Sequence, residues 1–176
     1  MRSPHSILLL SINCLLFTVY CLLFTVHCSL FTEKMHHVSI RTADIHKAIA
    51  FYEQLGFTVR ERFTTGYTLA CWMTGLGGRI ELIQIPEPKP TADAFHDEHY
   101  VGYYHLSFDL SDSTSDLSQW LENLQQKIAL QADSGTLEPL KVLLDPEQQM
   151  IGDRVYEVAF IADTDGLPLE FIRVLN

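Results

Sequence analysis

Clustered positive charge is missing from this chain. Its 176 residues carry 12 Lys and Arg against 22 Asp and Glu, a formal net charge of −10, and a nucleic-acid partner is disfavoured because binding a phosphate backbone needs a cationic face. Cysteine is scarce where a fold would use it. Cys14, Cys21 and Cys28 stand near the N-terminus and only Cys71 lies beyond residue 34, so no disulfide can form within 35–176, which fits a reducing compartment. Charge of either sign is absent from residues 7–31. The chain as a whole is 47% hydrophobic, and residues 35–176 have the length and apolar content of one folded domain with one core.

The uncharged stretch is a tandem repeat. Units of seven begin at Cys14, Cys21 and Cys28, and the last ends at Lys34, just before Met35. As a helix of 25 residues rising ~1.5 Å each, it would cross a ~30 Å hydrocarbon layer, which predicts a membrane anchor through residues 7–31. Verbatim repetition favours the other expectation. A membrane helix constrains only length and hydropathy, so the repeat reads as sequence upstream of a working start at Met35, which would place the protein in the cytoplasm.

From Met35 onward an α+β pattern occurs twice. Residues 36–41 alternate with a period of two and predict a strand. A helix follows, with Asp44 as N-cap, Ile45, Ala48, Ile49 and Tyr52 on one face and Gly56 past its end. Strands are predicted over 57–63, 67–73 and 79–85, completing a βαβββ unit. After a connector containing Pro86, Pro88 and Pro90, the order restarts at His105. Leu117, Trp120, Leu121, Leu124 and Ile128 predict the second helix, and strands are expected near 137–144, 154–162 and 167–174. The modules span about 35–86 and 102–176 of a single domain, 35–176.

The two modules share polar positions as well as periodicity. His37, Ser39 and Asp44 match His105, Ser107 and Asp112 in spacing, and Glu81, between Ile80 and Leu82, matches Glu170, between Leu169 and Phe171. An ionised carboxylate inside an apolar strand needs a partner, since burying it alone costs several kcal/mol. Two imidazoles and two carboxylates form an N2O2 donor set for one divalent metal, with two octahedral positions left for water or substrate. Repetition is the argument: a lone His or Glu is usually structural, whereas packing alone has no reason to repeat both. Trp72, Tyr103 and Tyr104 are candidates for lining a pocket. His36, His46 and the pair His96 and His99 read as surface or packing residues.

These features resemble the vicinal oxygen chelate superfamily, the glyoxalase, bleomycin-resistance and extradiol dioxygenase fold family. The resemblance rests on His37, the helix from Ala43 through Phe51, Tyr52, Leu55, Gly56 and Phe57, then Glu81, His105, and Asp163, Asp165 and Gly166 leading to Glu170. It implies two paired βαβββ modules in a cupped mixed sheet with helices outside. It also implies a homodimer and one divalent ion, nickel, zinc, manganese or iron, held by His37, Glu81, His105 and Glu170. The His, Glu, His, Glu order looks most like glyoxalase I, which implies a lyase/isomerase whose catalytic pair is Glu170, the base, and Glu81. A small substrate chelating through adjacent oxygens would pass through an enediolate, with Arg41, Arg154, Trp72 and Tyr103 binding it.

Two departures weigh against glutathione as that partner: Ile85 stands where bacterial-type glyoxalase I has Asn, and residues 148–154 lack its Lys-rich pattern. The same family implies two alternatives. One is an iron(II) extradiol-type dioxygenase built on His37, His105 and Glu170, and the other is a non-catalytic small-molecule-binding protein.

Overall fold

The computed structural model describes residues 34–175, so the repeat and the anchor expected at 7–31 lie outside the described residues. Among those described, no helix is long and apolar enough to cross a membrane.

Each module builds a helix and four strands in the same order. In the first, β1 (Val38–Thr42) precedes α1 (Ile45–Gln54), then β2 (Thr58–Thr65), β3 (Thr68–Gly75) and β4 (Gly78–Gln84). In the second, β5 (Leu106–Asp109) precedes α2 (Leu117–Asp133), then β6 (Val142–Ile151), β7 (Arg154–Ala162) and β8 (Pro168–Val174). The strands form two four-stranded mixed sheets of identical topology, β1-β4-β3-β2 and β5-β8-β7-β6. The first strand of each module runs parallel to the last, and the other pairings are antiparallel. The sheet is therefore mixed, as expected, and divided into two.

Local sequence accounts for the helices. Asp44 caps α1 by accepting from the backbone N–H of His46 (2.9 Å) and Lys47 (3.1 Å), and Gly56 leaves the helix at φ +90°, a conformation that costs glycine little. Asp116 caps α2 through Gln119 N–H at 2.9 Å. The buried faces are those of the predicted periodicity: Ile45, Ala48, Ile49 and Tyr52 on α1, Leu117, Leu121, Leu124 and Ile128 on α2. They meet the inward faces of the sheets, Ile80 and Leu82 on β4 and Leu169 and Phe171 on β8, in one core that spans both modules. Phe57 and Phe108, one from each module, pack edge to face at 5.8 Å.

Strand β6 differs from expectation. It begins at Val142 and runs to Ile151, through Pro146 and a polar run that reads as a loop. It is the outer strand of its sheet, where a proline need not donate to a ladder, and register shifts on either side of Leu144 absorb the irregularity.

A buried polar contact also joins the modules. Tyr52 on α1 donates to Oδ2 of Asp163 at 3.0 Å, while the backbone N–H groups of Asp165 and Leu167 donate to Oδ1, each at 2.9 Å. Burial outweighs these bonds and pushes the Asp163 carboxyl from 3.8 to about 6. A carboxyl raised on folding contributes stability that is complete below 3.8 and lost as the pH rises through about 6. Asp163→Asn keeps an acceptor for both N–H groups and removes the titration. In urea unfolding, the stability of this variant relative to the parent is expected to grow across that window. A constant difference at all pH values would refute the assignment.

Candidate functional site

The alternation that buries Ile40, Ile80 and Leu82 against the helices turns the intervening residues to the other face of the first sheet. There Ser39 is the register partner of Glu81 on β4, and Glu81 is the partner of Trp72 on β3. His37 stands just before β1, its Nε2 at 3.3 Å from Oε2 of Glu81. Trp72 donates its indole N–H to Oε1 of Glu81 at 3.0 Å. Burial pushes the Glu81 carboxyl up, but hydrogen bonds from Ser39 and Trp72 and the His37 contact prevail and hold it below its ordinary value.

The second sheet repeats the arrangement with one change. Ser107 is the register partner of Glu170, and Nε2 of His105 lies 3.3 Å from Oε2 of Glu170. The place of Trp72 is taken by Phe160, opposite Glu170 on β7, and a phenyl ring has no hydrogen to donate. The connector folds onto this half. Phe95 packs on Phe160 at 5.2 Å, and Tyr104 lies 4.6 Å from the His105 ring. Burial, then the Glu170 charge, raises the Tyr104 phenol. Among the described residues, Nδ1 of His105 is buried with no hydrogen-bond partner.

The four predicted metal ligands are thus held as two pairs. Among the described residues, no group of three or more His, Cys, Asp or Glu side chains is assembled to hold a metal. Each pair has the right chemistry for part of a coordination sphere. Imidazole nitrogen and carboxylate oxygen both suit first-row divalent ions, and donors ~2.1 Å from such an ion on adjacent octahedral positions stand about 3.0 Å apart. The observed 3.3 Å in both halves is close to that edge.

An open cleft of about 780 Å³ adjoins the first half-site, lined by Ser39, Arg41, Ile85, Lys89, Tyr103 and Asp165 among others. Arg41 and Tyr103, both predicted substrate-binding residues, meet there, while Trp72 contacts Glu81 and Arg154 stands exposed where β7 begins. Neither Arg41 nor Lys89 forms an ion pair among the described residues. His46 is exposed on α1, and His96 pairs with Asp93 at 2.9 Å on the exposed connector. Sequence reasoning gave no role to Ser39, Ser107, Lys89, Phe95 or Phe160. The serines left a signal, since each follows its histidine by two residues in both halves.

A family model described as the Glyoxalase/Bleomycin resistance protein/Dioxygenase superfamily matches residues 34–171. Solved structures share the fold. A glyoxalase family protein from Enterococcus faecalis is 19% identical with TM-score 0.53, over 81% of this chain and 99% of that one. One from Bacillus cereus is 17% identical with TM-score 0.55, over 84% and 100%. The V278E mutant of glyoxalase I from Zea mays is 18% identical with TM-score 0.57, over 79% of this chain and 44% of that one. No curated protein sequence matches the chain.

Proposed function

Since this chain belongs to the Glyoxalase/Bleomycin resistance protein/Dioxygenase superfamily, we propose that it is a metal-dependent lyase/isomerase of glyoxalase I type. One observation carries the reading: the duplicated His and Glu sit 3.3 Å apart in both halves, a spacing suited to adjacent positions around one cation. His37, Glu81, His105 and Glu170 would hold it. The ion, when bound, supplies positive charge that stabilises an enediolate oxygen and so acidifies the neighbouring C–H.

The remaining work falls to side chains. Glu170 takes the proton from one carbon and returns it to the adjacent carbon, so the substrate is isomerised with no net change in protons. Glu81, fixed by Trp72 and Ser39, stays a ligand. The substrate extends into the cleft, where Arg41 and Lys89 meet an anionic group and Tyr103 covers its apolar part. A strand advances ~3.3 Å per residue, so Arg41 lies roughly 13 Å along the backbone from His37, and such a substrate is longer than a three-carbon fragment.

The partner that completes the site is a second copy of the chain. A twofold that sets the His37 and Glu81 pair of one copy against the His105 and Glu170 pair of the other gathers four donors and makes two sites per dimer. Equilibrium dialysis with zinc, run alongside sedimentation, is expected to show one ion per chain and tight binding only at concentrations where dimers form. A metal-free dimer under zinc excess would overturn the metal reading. Oxygen uptake with catechols, in place of isomerisation of a methylglyoxal–thiol adduct, would move the chain to the dioxygenase branch.

A further inference from the structure

The two half-sites differ at one cross-strand position. Trp72 opposes Glu81 and Phe160 opposes Glu170, so the two rings hold equivalent places in the duplicated fold. The indole N–H reaches Oε1 of Glu81 at 3.0 Å, which leaves Oε2 directed at His37. Trp72 is itself fixed, by the edge of Phe63 at 5.0 Å and by the Arg79 guanidinium 5.8 Å over its face. Ser39 adds a second bond to Glu81. Glu170 faces Phe160, a ring with no hydrogen to donate, in place of the indole, and its ion-pair partner among the described residues is His105.

We propose that Trp72 is a positioning residue that breaks the equivalence of the two carboxylates. By clamping one oxygen of Glu81, it commits that side chain to a fixed ligand role and leaves Glu170 as the carboxylate able to swing and carry a proton. The inference rests on the metal-site reading above. Charge-assisted bonds to a ligand carboxylate set its orientation, and loss of such outer contacts lowers metal affinity about 10- to 100-fold.

Phe160 shows that the fold accommodates phenylalanine at this position in the other half, so Trp72→Phe removes the donor while keeping a ring. In the full chain, W72F is expected to weaken zinc binding at least tenfold by calorimetry, with the thermal midpoint near the parent's. A packing role alone would leave zinc affinity unchanged. The ¹⁵N indole resonances give a second readout, with Trp120 as internal reference. Glu81→Gln in metal-free protein is expected to shift the Trp72 signal and spare that of Trp120, and this measurement decides the case if W72F does not fold. Zinc held equally by W72F and the parent, or an indole signal indifferent to E81Q, overturns the inference and leaves the metal site standing. A parent that takes up no zinc sinks the metal site itself, and the proposed division of roles with it.

Discussion

Glu170→Gln is expected to lower isomerisation by about two to four powers of ten, the usual contribution of a positioned general base, while the fold persists. Glutamine preserves size and keeps an oxygen near His105, but it cannot take a proton. Glu170 is only partly buried and lies on the sheet face away from the helices, so no core contact is lost. Progress curves with a methylglyoxal–thiol adduct, read beside thermal melts, check this. A variant retaining more than about a tenth of the parent rate would require another base. Glu81→Gln is the informative companion, expected to reduce zinc affinity as well as rate.

One residue further along β8 the expectation reverses. Phe171 is fully buried, its ring 4.5 Å from Trp120 and 5.6 Å from Phe108. It joins the strand to α2 and to the first strand of its module. Phe171→Ala removes that ring and leaves a cavity, a change that costs about 3–5 kcal/mol, a large share of the ~5–15 kcal/mol that holds a typical domain together. Urea midpoints measure it, and a loss below about 1 kcal/mol would mean that the core can collapse around the gap. Adjacent positions thus separate chemistry from stability, because strand alternation sends Glu170 to one face and Phe171 to the other.

That alternation also explains what could be read beforehand. The helix faces, the βαβββ order and the repetition of one His and one Glu at matching points of both modules were legible, because periodicity and duplication are local or repeated signals; the 3.3 Å contact of each His with the Glu of its own module emerged only in the fold. Ile45, Ala48, Ile49 and Tyr52 fall where a period of 3.6 puts them. The extent of β6 was not legible, since an outer strand tolerates Pro146 and a polar run that a central strand would reject. The cover over His105 was equally hidden. Phe95 and Tyr104 reach Phe160 from a connector without periodicity, and only folding brings them together. The division of the sheet in two, which keeps the ligand pairs apart within the described residues, depends on how modules pack, and no short-range pattern encodes that.

The segment joining the modules exists in a single copy, whereas every helix and strand has a counterpart. Evolution can therefore lengthen, shorten or recolour it without disturbing the duplicated frame. Because it contributes Lys89 and Tyr103 to one recess and Phe95 to the covering of His105's neighbour Phe160, grafting a different linker between residues 86 and 105 offers a route to new selectivity that leaves both histidine–glutamate pairs untouched.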